Sequence, residues 1–405
     1  MTIYSKWRKK VWLYLNDIIY LRLTTRVINV FFSLMIITLP FVNKFSRVMV
    51  LFYLLLFFRM IYKNKDFIIP YMHKLFLFGL FTIIVLGDLS NGISLESLKR
   101  MLYLAIFISL YYATLYFVRK NILKIDTFVY AIVISMTVYM INGYIQFFSG
   151  YDLILHSTLQ NDGICSISKN RNIFGLAMFF YMALLSFLVF EKKMYWTILF
   201  LLFAIVAIIL TLSRQIWITA ILFFFVLIFY KHHMISMRFW MMGLVGIIAI
   251  VFLFLYIPEL HERVILLQNG YSSGRMELWK ILISHIPEAP LLGHGFHSPL
   301  NITGTKIEYD YAHNLTIGIL FNLGIFGFLF YLIFIGYFLK LLVQCQNIQI
   351  KPYLIALFIA LFMVQQQLGG SMLIHKFIGP SMMIFLAWVT SYSSTETFIK
   401  KKRNF

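Results

Sequence analysis

Apolar runs of about twenty residues, separated by short basic turns, repeat along almost the whole chain. At about 1.5 Å rise per residue such a run spans a hydrocarbon core about 30 Å thick, so each reads as a membrane-crossing helix. The runs are continuous and do not alternate in polarity, which argues against barrel strands. Hydrophobic residues make up 61% of the chain, charged residues only 12%, and the mean hydropathy is +0.85, far from a soluble domain. The expected fold is therefore an all-α polytopic membrane protein. Twelve spans are expected, at residues 27–43, 47–62, 73–89, 101–118, 126–148, 173–190, 196–212, 215–230, 239–257, 313–339, 353–368 and 377–391. Residues 1–26 carry Trp7, Trp12, Tyr14 and Tyr20 among lysines and arginines, either as a helix lying on the inner interface or as a plain basic flank. No small-residue cleavage site follows the first apolar run, so it is expected to remain as a span.

The formal charge of +20 could point to nucleic acid, but its distribution argues otherwise. With the N-terminus inside, the inner turns hold 23 of the 35 basic residues and 5 of the 15 acidic ones. Lys and Arg bias orients spans, so both termini, including the tail 392–405, are expected in the cytoplasm and the charge is a topology signal. Cys165 falls in an outer loop and Cys345 in an inner one, so no pairing is expected, and Cys165 should be open to reagents from outside.

Outer connections are short except 149–172 and 258–312, which divide the chain into helices 1–9 over 27–257 and helices 10–12 over 313–391. A polar insert between spans is where chemistry concentrates, because hydrocarbon offers neither water nor polar groups. The first loop ends Lys169-Asn170-Arg171-Asn172, which offers donors to an anionic head group or sugar, or simply an Asn-capped helix start. Arg214 sits in the very short turn Thr211-Leu212-Ser213-Arg214-Gln215, where it either snorkels away from lipid or binds an anion that the helix N-terminus also favours. In the large loop, Met276, Trp279, Ile283 and Ile286 have helical spacing and Pro287 ends the pattern, which predicts an amphipathic outer helix resting on the bundle. Arg275 lies in its first turn, where a cation opposes the helix dipole unless both address one anion. His294 and His297 lack a carboxylate at ligand spacing, and the glycines around His294 mark a turn, so no metal site is expected. His313 and Asn314 open the tenth span. Leu320, Gly324 and Gly327 fall within about 40° of the His313 face, where glycine would admit a neighbouring helix.

His313-Asn314, nine residues and then Gly324-Ile325-Phe326-Gly327 resembles the His-Asn-x9-Gly-x-x-Gly signature of O-antigen ligases and related membrane glycosyltransferases. Thr211-Leu212-Ser213-Arg214 with Trp217 is similar to the short arginine turn of that family. Gly274-Arg275 with Trp279, followed by Pro290-Leu291-Leu292-Gly293-His294-Gly295, is similar to the arginine segment of its large periplasmic loop. The resemblance covers about residues 170 to 330. It implies a GT-C-like enzyme of the bacterial inner membrane that needs neither metal nor other cofactor. Such an enzyme moves a glycan from undecaprenyl pyrophosphate to a hydroxyl of lipid A–core. His313 would be the general base, Arg214 and Arg275 the pyrophosphate ligands, and Arg171, Asn172 and Asn314 secondary substrate contacts, with membrane lipids around and no nucleic-acid partner. A polymerase using the same donor and a protein O-glycosylating transferase resemble the same pattern. A transporter remains as a reading of another class. It is disfavoured because Asp88 and Asp126 fall at span ends and the interior polar residues Asn142 and Gln146 are neutral. Gln365 to Gln367, at an outer end, either line a groove or cap a helix.

Overall fold

The computed structural model describes residues 24–38, 44–123, 125–158, 163–168, 170–231, 265, 275–296, 312–368 and 378–393. These form α1 (Thr24–Thr38), α2 (Lys44–Asn64), α3 (Tyr71–Asn91), α4 (Leu95–Arg119), α5 (Ile125–Ser149), α6 (Arg171–Phe190), α7 (Ile198–Leu210), α8 (Arg214–Lys231), α9 (Arg275–His285), α10 (Leu315–Val343), α11 (Lys351–Leu368) and α12 (Ile378–Ser393). Helices α2 to α6, α8 and α10 are long and apolar enough to cross a membrane, and α1, α7 and α11 are shorter apolar helices. The chain is a multi-pass helical membrane protein. Eleven of the twelve expected spans coincide with a helix, whereas 239–257 lies outside the described residues, as do His297, the Ser272-Ser273-Gly274 approach to α9 and most of the two terminal segments. The all-α expectation needs one small correction: the 149–172 loop opens with a two-residue antiparallel pair, Tyr151–Asp152 against Ser157–Thr158.

Polar side chains set the helix boundaries that matter. Ser94 caps α4 by accepting from the Ser97 N–H at 3.0 Å, and Asn170 caps α6 by accepting from Asn172 and Ile173 at 2.9 and 3.4 Å. Asn142 and Gln146, the neutral residues inside α5, bind the outer loop down. Asn142 donates to Asp152 and to Ser166, and the Gln146 carbonyl accepts from the Cys165 and Ser166 amides. Cys165 is thereby fully buried, so it is not the accessible outer thiol expected; the loop folds back into the bundle.

Two large apolar cores form among the described residues, beside two smaller ones. One joins α5, α6, α7, α8 and α11 around the innermost helix, α6, with Phe174, Phe179, Tyr181 and Phe223 fully buried. The other joins α1, α2, α4 and α12 around Tyr53, Tyr116 and Phe117. At the end of each core remote from the starts of α6 and α8, half-buried ion pairs form: Lys231 with Glu191, which also accepts from Tyr353, and Lys120 with Asp66, which also accepts from Tyr116. Helix α10 packs on α3, α11 and α12 and links the two halves.

Candidate active site

Two helix starts meet at the end of the first core opposite the Lys231–Glu191 pair. The Asn172 side-chain oxygen Oδ1, in the first turn of α6, accepts from the Ser213 hydroxyl at 2.6 Å, one residue before α8 begins at Arg214. The α7–α8 turn is held from within: the Thr211 hydroxyl donates to the Ile208 carbonyl at 2.6 Å and Leu212 takes a positive φ of 52°. Trp217 donates its indole N–H to the last carbonyls of α7, Ile208 and Ile209, at 3.0 and 3.2 Å. These bonds satisfy groups that a helix end leaves open, and they fix where Arg214 emerges.

A third helix start, that of α9, lies against them. With its amide oxygen turned to the guanidinium, Gln215 accepts from both Nη1 and Nη2 of Arg275, the latter at 3.0 Å. Helix α9 packs on α10 through Leu278, Leu282, Ala312 and Phe321, with Trp279 and Ile286 at the margin, and the Trp279 indole donates to the Ala312 carbonyl at 2.9 Å. The expected contact stripe is thus rotated: Met276 and Ile283 are 51% and 53% exposed. Trp279 fits either stripe, and its hydrogen bond selects the one that carries Leu278.

The fourth start is α10. Its first helical residue is Leu315, and Asn314 is the cap, accepting from the Ile317 N–H at 3.0 Å. His313 therefore does not begin the helix, as expected from sequence, but precedes the cap at φ 49°, a left-handed conformation uncommon outside glycine. The Ala312 and Asn314 bonds on either side hold it there. Beyond, Thr316 donates to Gln366 at 2.7 Å, which brings the outer end of α11 to the same place.

The glycines after His313 do something other than admit a helix. At Gly324 (φ 61°) helix α10 breaks, and the turn 290–295 enters the break. The Pro290 and Leu291 carbonyls accept from Ile325 and Phe326 at 2.9 and 3.3 Å, while His294 and Gly295 donate to Phe321 and Asn322 at 2.8 and 3.1 Å. A Cβ on Gly324 would overlap the Leu291 carbonyl, and one on Gly293 would overlap the backbone of Asn322 and Leu323. The break also swings Leu323 over Gly327. His294 is accordingly more than a turn residue: its ring stacks on Phe321 at 4.4 Å and its Nε2 bonds the His285 carbonyl at 3.0 Å, tying the end of α9 to α10.

The arrangement concentrates positive potential. Helices α6, α8 and α9 each begin on an arginine, and α6 and α8 have no acidic residue in the first turn. Placing cations at the positive end of a helix dipole raises the attraction for an anion at that point. Burial, and then the charge of Arg275, lowers the His313 pKa from 6.5 to about 4, so its imidazole is neutral at neutral pH. Among the described residues, no three His, Cys, Asp or Glu side chains cluster as metal ligands would. Of the residues singled out from sequence, Arg275 is bonded to Gln215 in the first turn of α8 and lies near enough to His313 for its charge to act on the imidazole. Arg171 and Asn172 stand beside Ser213 at the neighbouring start, and Asn314 is engaged as a cap. Gln215 was missed: a neutral amide beside Arg214 carries no signal of its own.

Fold and site define a membrane protein with a cationic, histidine-bearing centre where four helix starts converge. The family model described as O-Antigen ligase matches residues 198–332, from the start of α7 into α10, so this segment of the chain is similar to the O-antigen ligase family. The segment contains Arg214, Arg275, His313, Gly293 and Gly324. No curated protein matches the chain.

Proposed function

We propose that the protein is a glycosyltransferase that moves a glycan from undecaprenyl pyrophosphate to a sugar hydroxyl of lipid A–core at the periplasmic face of the inner membrane. The observation that carries this reading is the bonding of Arg275 to Gln215 in the first turn of α8, near enough to a neutral His313 for its charge to act on the imidazole. Breaking the anomeric C–O bond releases a pyrophosphate, whose growing charge needs fixed donors in a site of reduced dielectric. Arg214 and Arg275 offer planar forks suited to phosphate oxygens, so charge neutralisation needs no metal. The acceptor hydroxyl bonds to the anomeric carbon from the side opposite the leaving oxygen, inverting that centre, and its proton goes to His313. Energy stored in the pyrophosphate linkage drives the transfer without a nucleotide.

A pKa of about 4 makes His313 a weak base in the empty site. Burial is the larger cause of the depression and the charge of Arg275 the smaller, so an anion paired with Arg275 relieves the smaller part of it. The test is transfer by purified protein from lipid-linked glycan to rough lipopolysaccharide with EDTA present, with the anomeric configuration of the product read by NMR. The ligase reading expects an inverted linkage on lipid A–core. Extension of the lipid-linked glycan alone would make the protein a polymerase, and loss of activity restored by Mg²⁺ or Mn²⁺ would overturn the metal-free mechanism.

A further inference from the structure

The turn that enters the α10 break is also gripped from the opposite side, by the N-terminal half of the chain. Asp88, near the end of α3 and buried, accepts the Phe296 N–H on Oδ1 at 2.8 Å and the Ser97 hydroxyl, from the first turn of α4, on Oδ2. Asn91 donates to the Gly293 carbonyl at 3.0 Å and to its own Gly87 carbonyl at 2.7 Å. The backbones meet closely, since a Cβ on Gly87 would lie 3.0 Å from the Leu292 carbonyl and one on Gly295 would lie 3.2 Å from Asp88. A buried carboxylate near a helix C-terminus opposes the helix dipole and is costly to desolvate. Its bonds all serve to hold the turn and the α3–α4 corner, which is not where pure stability would put a charge.

We infer that Asp88, with Asn91, is a positioning residue for the reaction. It clamps the 290–296 turn, and the turn sets the spacing of the arginine on α9 from the histidine ahead of α10. The mechanical path is short: Asp88 holds Phe296, His294 holds both the His285 carbonyl at the end of α9 and Phe321 on α10, and four backbone bonds seat the turn in the break. Helices α3 and α4 lie outside the segment matched by the family model and carry none of the proposed site residues, so they would act as a support for a site assembled elsewhere. The inference rests on the glycan-transfer reading of that site.

The test compares Asp88→Ala and Asp88→Asn in the purified full chain. It measures kcat and donor KM for transfer, and hydrogen exchange over 290–296 and 321–326. Asparagine can still accept from Phe296 and can donate to Ser97, so it should restore what alanine loses. Asp88→Ala should speed exchange in both segments and lower kcat about 10- to 100-fold, as sub-ångström misplacement does. Donor KM should stay within about threefold, because the arginines still meet the pyrophosphate. A wild-type kcat in Asp88→Ala, or an Asn variant as impaired as the Ala variant, would overturn the role. Should Asp88→Ala not fold, Asn91→Ala loses the grip on Gly293 together with the local bonds to Gly87 and Ser90 and carries the same test: faster exchange in both segments and a lower kcat support the clamp, and no change in either refutes it. Coupled exchange in a wild-type protein that transfers no glycan would retire the functional reading and leave the clamp standing.

Discussion

At the residue scale, His313 and Arg275 are one electrostatic unit. The charge of Arg275 helps keep the imidazole unprotonated, and any anion that occupies Arg275 weakens that effect. The acid limb of kcat/KM, which reports the empty enzyme, should therefore fall near pH 4, while the acid limb of kcat, which reports the donor complex, should lie at higher pH. Coincident limbs in the two pH profiles would mean that donor and imidazole do not interact. Arg275→Lys keeps the charge but loses the fork that Gln215 and a phosphate can share. Hydrogen bonds to charged groups are worth about 1.5–3 kcal/mol, so donor affinity should drop about ten- to a hundredfold, as titration with the lipid-linked glycan would show. Both ionisable residues were legible in the sequence because a titratable group beside lipid is itself a signal. Gln215 and Asn91 were not, because neutral amides at span ends are ordinary caps until their distant partners are known.

At the element scale, the decisive feature is the break in α10. The spacing of Gly324 and Gly327 was visible, yet helical periodicity assigned them to a helix-facing stripe. Periodicity describes one helix and has no term for a turn, some thirty residues earlier in the chain, whose carbonyls replace the helix's own. The positive φ of Gly324 makes the consequence specific. Gly324→Ala should cost about 2 kcal/mol or more, from the left-handed backbone and the overlap with Leu291. Gly336→Ala in the same helix, where a side chain meets nothing within 4 Å, should stabilise by about 0.5–1 kcal/mol. Thermal melts in detergent distinguish the two, and equal effects would argue against the seated turn. The helices themselves, and the end of α9 before Pro287, followed from apolar runs and from that proline. The rotation of its contact face did not, because the Trp279 bond to Ala312 is a tertiary choice.

At the scale of the whole molecule, the two large apolar cores place the converging helix starts at one end and the Lys231–Glu191 and Lys120–Asp66 pairs at the other. From the Lys and Arg bias we propose that the paired end faces the cytoplasm. Since Cys165 and Cys345 are both buried, orientation is better tested with new thiols in a cysteine-free background. Leu153→Cys, at a site 48% exposed in the outer loop, should react with an impermeant maleimide in sealed cells, and Ile348→Cys, at a site 85% exposed between α10 and α11, should react only after permeabilisation. The reverse pattern would invert the topology and put the site on the wrong face for an extracytoplasmic acceptor.

The central claim is that His313 acts as the base beside the arginine-bearing helix starts. The most direct measurement is the single-turnover rate of glycan transfer by purified His313→Asn protein, with EDTA present and donor saturating. Asparagine tolerates the left-handed backbone that His313 adopts, so the fold and donor binding should be kept. Without the base the rate should fall about 10²- to 10⁴-fold. A His313→Asn protein that binds donor and transfers glycan at the wild-type rate would contradict the account.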